Sequence, residues 1–375
     1  QRYEEIDTAE EIAAYQVDIR AKFIEMFGGL PERTPLNPQV TGVHERDGYR
    51  VEKVIFESQP KLYVTAALFL PDPARHTPPY PGVLVPCGHA EPAKAHDTYQ
   101  SMGAFLACEG MAALVFDPIE QGERMQLLNE DGSHKMWGTR AHTMVGVGSI
   151  LLGRNTARFE IWDGMRGIDY LQSRPEVDPE RIGCTGSSGG GTQTSFLMAL
   201  DERIDVAAPS CYLNTVARQL GTAVGDAEQN IFGQLDWGLD HADFIMMRAP
   251  RPVLICAATQ DFFDIEATWV TYRYAKRRYA RMGFAERVDL LENDAPHNYN
   301  TLQREAAARW LARWLQDHDE AFTEPELDLF SEEALWCTPR GQVMLLDGAR
   351  STYEINADYE RELAKRRKQM WAGGL

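Results

Sequence analysis

The sequence predicts an α/β protein built on a mostly parallel eight-stranded sheet, with helices on both faces and the first strands antiparallel. Three observations carry this. From residue 82 to residue 317, short apolar segments alternate with longer helical ones, the pattern of parallel strands joined by crossover helices. Just before them, 49-57 (YRVEKVIFE) and 62-70 (LYVTAALFL) are divided by a short turn and read as an antiparallel hairpin. A glycine-rich turn at 186-191 also links one strand directly to one helix.

Taken in order, an amphipathic helix is expected over 8-26, closed by Gly28, Gly29, Pro31 and Pro35. Residues 1-40 therefore read as an N-terminal helical extension, and 41-318 as the main α/β domain. After the hairpin come strand 82-86 (GVLVP), helix 97-110, strand 112-116 (AALVF), helix 157-173 and strand 181-185 (RIGCT). Helix 189-200, strand 205-210 (DVAAPS), strand 252-257 (PVLICA), helix 266-282, strand 286-291 (ERVDLL) and helix 301-317 complete the series. Insertions at 117-156 and 211-250 each follow the carboxyl end of a strand. Open α/β sheets place their ligand sites there, so these insertions are expected to wall the pocket. Residues 319-375 read as a C-terminal extension: an acidic, turn-rich stretch, then a charged helix over 353-371. A linker and the start of a second domain are both compatible with that pattern.

Composition narrows the functional classes. A net charge of -18, from 56 acidic and 38 basic residues, repels phosphates, so no nucleic-acid partner is expected. No apolar run approaches the ~20 residues needed to span a bilayer, so no membrane span is expected. The six cysteines, at 87, 108, 184, 211, 256 and 337, lie in or beside apolar segments and read as buried thiols. The sequence begins at Gln1 without Met. Removal of an upstream signal would favour a secreted or periplasmic location, and its absence a cytoplasmic one. Composition does not indicate an oligomeric state.

The chemistry concentrates in RIGCTGSSGGGTQTSFLMAL, residues 181-200. Gly186-Ser187-Ser188-Gly189-Gly190 is a G-x-S-x-G turn between a strand and a helix, the nucleophile elbow. Ser187 offers a competing register, but Ser188 alone has glycine at both minus two and plus two. No Lys follows as a phosphate loop requires, and the dinucleotide motif is not matched. In an elbow of this kind the acid and the histidine follow the serine in that order. Strand 252-257 runs out into Asp261, with Asp264 as the alternative acid, and strand 286-291 runs out into His297. The Gly189 N–H is expected to be one oxyanion donor, and the His89 N–H in PCGHAEP the other, with Gly88 and Ala90 as neighbours. No metal is expected: neither His89, His96 and Asp97 nor His241 with Asp240 and Asp243 has a recognised ligand spacing.

The order of GVLVPCGH, VFDPIEQGER, GCTGSSGGGTQT, LICAATQD and NDAPHNYN resembles the acetyl xylan esterase-like branch of the α/β-hydrolases, over roughly residues 40 to 318. The resemblance implies a bacterial serine carbohydrate esterase that takes acetyl groups from polysaccharide or oligosaccharide through an acyl-enzyme, with no cofactor. It also implies that FDPIEQGER shapes the loop beside the nucleophile, where Asp117 either starts a turn or takes part in the chemistry. Trp137, Tyr212, Trp237 and Phe262 lie in the insertions or just past strand ends, where they either stack on sugar rings or pack the loops. Arg124, Arg140, Arg154 and Arg158 raise an alternative, demethylation of uronic acid esters as in pectin, if they face a carboxylate and not a surface acid. A serine peptidase of the prolyl-oligopeptidase type shares the elbow but carries a propeller, and no propeller-like repeat is present.

Overall fold

The computed structural model describes residue 6 and residues 8-222 and 225-372. Its centre is a nine-stranded sheet. In chain order the strands are β1 (Gln39–Arg46), β2 (Tyr49–Gln59), β3 (Leu62–Pro71), β4 (Tyr80–Pro86), β5 (Ala112–Phe116), β6 (Val177–Ser187), β7 (Ile204–Ser210), β8 (Val253–Gln260) and β9 (Val288–Pro296). They lie in the order β1-β2-β3-β5-β4-β6-β7-β8-β9. β1, β2, β3 and β5 pair antiparallel, and from β5 to β9 every pairing is parallel. The eight expected strands are all present, and β1 is the ninth. It sits at the sheet edge with Val40 and Val43 both exposed and a bulge between Val40 and Gly42. A strand wet on both faces has no apolar alternation to betray it.

The helices are α1 (Ala9–Met26), α2 (Asp97–Cys108), α3 (Gly138–Leu151), α4 (Ala157–Ser173), α5 (Gly189–Leu200), α6 (Val216–Gly221), α7 (His241–Met246), α8 (Ile265–Arg281), α9 (Thr301–Leu315) and α10 (Thr352–Ala372). Side chains alternate across the central strands. Val83, Val85, Ala113 and Val115 pack with Met102 and Phe105 of α2 and Leu311 of α9. Leu84 and Leu114 face the other way, onto Ile161 and Ile168 of α4, Phe196 of α5 and Tyr279 of α8. The N-terminal helix belongs to this second layer. Thr8 starts it by accepting the Glu11 N–H while Glu11 accepts the Thr8 N–H. Its Phe23 then packs 5.2 Å from the ring of Phe196 and 5.1 Å from that of Phe244. No helix among the described residues is long and apolar enough to cross a membrane.

Beyond α9 the chain turns back along the same unit. Phe330 and Leu335 join the α2/α9 layer, and Ile355 of α10 packs with Val145 of α3. A buried ion cluster fixes the return. Lys94 lies 2.6 Å from Asp117 and 2.7 Å from Glu123, and Glu123 also accepts the N–H groups of Cys337 and Thr338 at 2.6 and 2.8 Å. Asp117, which the sequence left between a turn and a chemical role, is spent on this cluster: it also accepts the Thr65 hydroxyl and the Lys94 N–H. Burial opposes the Lys94 charge, but Asp117 and Glu123 hold its pKa well above the ordinary lysine value.

Candidate active site

The turn between β6 and α5 is forced by backbone contact. A Cβ on Gly186 would lie 2.5 Å from the Pro86 carbonyl oxygen, and one on Gly190 only 2.2 Å from the same atom. Gly191 meets a third limit, since its Cβ would lie 2.1 Å from the Ser210 oxygen. The elbow thus passes within contact of the ends of both β4 and β7, and the last of these glycines was not singled out from the sequence. Between them Ser188 takes φ 61° and ψ -124°, a strained backbone for a residue with a side chain. Its N–H is held by the Ser210 carbonyl at 3.0 Å. Ser188 is partly exposed, whereas Ser187 is buried and donates its hydroxyl to the Asn298 carbonyl at 3.3 Å.

That bond ties the elbow to the loop after β9, which carries His297. The His297 Nδ1 lies 2.8 Å from each carboxylate oxygen of Asp261, and the Asp261 side chain is 1% exposed. Burial opposes a charge on His297, but Asp261 and then Cys211 outweigh it and raise the pKa to about 9. Cys211, which sequence analysis treated only as a buried thiol, stands at φ 51° just after β7 and donates to the Asn298 carbonyl at 3.2 Å. Asp264, the alternative acid, instead caps α8 through the Ala267 N–H at 3.0 Å and pairs with Arg218 at 2.8 Å.

The loop after β4 lies against Ser188, where a Cβ on Gly88 would stand 3.0 Å from the Ser188 Cβ. The Gly88 N–H donates to the Tyr99 hydroxyl at 2.5 Å, and the Ala90 N–H donates to the Gly88 carbonyl at 2.8 Å. The His89 N–H has no hydrogen-bond acceptor among the described residues. Gln121 from the first insertion braces the loop by donating to the Gly88 carbonyl at 2.7 Å. The His89 ring lies so close to Gly189 that a Cβ there would meet its Cε1 at 2.9 Å. Behind it are two side chains that sequence spacing did not single out, His142 of α3 and Glu228 of the second insertion, both fully buried.

The expected sugar-contacting residues divide. Phe262 is half exposed, its ring 4.2 Å from that of His297, and Trp137 is exposed on a cavity of about 450 Å³ that it shares with His89, His134, Lys135 and Arg140. Tyr212 and Arg124 are corrections. Tyr212 is buried and stacked on His241 at 4.7 Å. Arg124 is buried too, bonded to Asp163 at 2.8 Å and to the Asp117 and Tyr63 carbonyls, so neither faces a ligand. Trp237 and Arg154 line a separate depression beside Met26 and Phe232, where Arg154 lies 3.3 Å over the Tyr359 ring.

Comparison with known proteins places this geometry. YtaP of Bacillus subtilis (strain 168), a hydrolase by name, is 24% identical over 311 residues, spanning 79% of this chain and 98% of its own. Among solved structures, methylesterase BT1017 superposes with a TM-score of 0.74 at 22% identity, over 96% of this chain and 77% of its own. A glucuronoyl esterase from Solibacter usitatus gives 0.62 at 15%, over 82% and 94%. These likenesses bear on the fold, which is that of the α/β-hydrolases. The family model described as Acetyl xylan esterase (AXE1) matches residues 34-231, more than half of the chain and inclusive of the elbow. On that match, the chain belongs to the acetyl xylan esterase family of carboxylic ester hydrolases.

Proposed function

We propose that the chain hydrolyses acetyl esters on a polysaccharide or oligosaccharide through an acyl-enzyme on Ser188. The observation that carries the reading is the buried Asp261 carboxylate gripping His297 Nδ1 at 2.8 Å, in a loop that hydrogen-bonds to the residue before Ser188. Asp261 keeps the proton on Nδ1, so Nε2 is the basic nitrogen. Ser188 Oγ attacks the ester carbonyl carbon and its proton passes to His297 Nε2. The Gly189 and His89 N–H groups stabilise the oxyanion, helped by the amino end of α5. The intermediate collapses, the sugar alcohol leaves with the proton from His297, and water repeats the sequence to release acetate.

A second reading is hydrolysis of uronic acid methyl esters, favoured by one observation. Lys135 and Arg140 line the cavity beside His89, and neither forms an ion pair among the described residues. Two unmatched cations on a chain of net charge -18 suit a polymer that carries carboxylates. The names of the methylesterase and glucuronoyl esterase neighbours lean the same way. Acetate release from acetylated xylan and methanol release from methylated pectin, measured side by side for the protein and Ser188→Ala, separate the two. Activity unchanged in the variant would remove Ser188 from the mechanism.

A further inference from the structure

We propose that His89, His142 and Glu228 form a binding site for a divalent cation of the zinc class beside the nucleophile elbow. Their ligand atoms make a tight triangle. His89 Nε2 lies 3.3 Å from His142 Nδ1 and 3.0 Å from Glu228 Oε1, and His142 Nδ1 lies 3.2 Å from Glu228 Oε2. Tetrahedral ligands at the usual zinc distances are separated by about 3.3 Å. The triangle therefore has the size of one face of such a site.

The second nitrogens of both rings are engaged as in a metal site. His142 Nε2 lies 2.7 Å from the Ile119 carbonyl, which only accepts, so the proton of a neutral His142 sits there and Nδ1 carries a lone pair. His89 Nδ1 lies 3.4 Å from Asp226 Oδ2, which leaves Nε2 as the free nitrogen in the same way. Carboxylate and carbonyl partners of this kind orient metal-bound histidines. Two such neutral rings meet lone pair to lone pair, so either a shared proton or a metal cation stands between them. Glu228 gives the independent sign. It is fully buried and aimed at both rings, yet neither of its oxygens makes a directed hydrogen bond. A buried carboxylate held only against imidazole nitrogens, without a directed hydrogen bond, is costly, and a cation at the centre of the triangle satisfies both oxygens at once. His89 is 15% exposed and lines the cavity with Trp137 and Arg140, which provides an entry path and an open fourth position. Imidazole with carboxylate suits zinc, cobalt or nickel better than calcium or magnesium.

The test uses the whole protein, stripped with a chelator and titrated with ZnCl2 by calorimetry. One equivalent binding with Kd below about 10 μM, and a tetrahedral visible spectrum with Co2+, are expected. Glu228→Gln and His142→Ala each weaken binding by at least about 100-fold. Cys211, Asp261 and His297 also bring ligand atoms within 4.8 Å of one another, so Cys211→Ala is titrated in parallel and keeps full affinity. Circular dichroism checks each fold, and His89→Gln, at the exposed corner, replaces a variant that fails to fold. Wild-type binding weaker than about 10 μM, or tight binding that survives in Glu228→Gln and vanishes in Cys211→Ala, overturns the site. So does a proton shared between His89 and His142, seen by nitrogen NMR in protein that refuses zinc.

Discussion

Gly190→Ala tests the elbow most directly. The new Cβ would stand 2.2 Å from the Pro86 oxygen, against an ordinary limit of 3.4 Å, so α5 and the end of β4 must separate by about 1.2 Å. The three nearest atoms, from Pro86, Cys87 and Gly88, are all backbone, leaving no side chain to swing aside. The shift falls between the two proposed oxyanion donors, because Gly189 moves with α5 and His89 with β4. A misplacement of about 1 Å costs about 100-fold in rate, while overpacking of this size costs about 1–3 kcal/mol of stability. The expected result is a folded protein whose kcat on p-nitrophenyl acetate falls about 100-fold with KM changed much less. Circular dichroism melting verifies the fold. Gly148→Ala is the control: it lies inside α3 with only the Asn356 side chain within 4 Å, at 3.8 Å, and should keep full activity. A Gly190→Ala enzyme within about threefold of the wild-type kcat would refute the contact argument.

Four further outcomes follow from the site, the cavity beside it and the core. With the His297 pKa at about 9, the base is mostly protonated at neutral pH, so kcat/KM should rise about tenfold per pH unit up to about pH 9 and then level; a flat profile from about pH 6 to 9 contradicts the assignment. In Asp261→Asn the charge that raises this pKa is gone, so the limb should move to lower pH while kcat drops by about 10⁴-fold, and an unshifted limb would sever Asp261 from His297. Lys94→Met leaves Asp117 and Glu123 buried without their cation and should cost about 3–5 kcal/mol in urea unfolding; a loss under about 1 kcal/mol would show that the cluster is not charged as described. The double variant Lys135→Ala, Arg140→Ala should lower methanol release from methylated pectin about tenfold or more through KM, with p-nitrophenyl acetate hydrolysis unchanged, and equal losses on both would deny the cations a recognition role.

The parallel half of the sheet was legible because its strands are buried on both faces and read as unbroken apolar runs, as AALVF does at 112-116. The elbow was legible because backbone crowding there leaves glycine as the one residue that fits, and the Asp261–His297 contact because each residue follows the end of one of two neighbouring parallel strands. β1 was not, since none of its own residues is buried. Arg124 looked like a ligand-facing residue because it sits in an insertion, but its partners Tyr63 and Asp163 come from β3 and α4, 61 and 39 residues away. Tyr212 misled for the same reason: its stacking partner His241 is supplied by a helix of the same insertion. The His142–Glu228 pair is assembled from two insertions, and no local spacing encodes such a meeting.

Glu123 also sets an order in time. Its partners at Cys337 and Thr338 lie 214 and 215 residues downstream, so on a ribosome they emerge on the order of 10 to 40 s after it. For that interval a nascent chain can pair its strands and bring Lys94 to the two carboxylates, but the outer side of Glu123 has only water. The loop that braces the elbow therefore matures last, after the sheet that carries it. A message truncated before the codon for Cys337 yields a chain with its nucleophile in place and an acid left open beneath it, a product that quality-control proteases would meet as an unfinished fold.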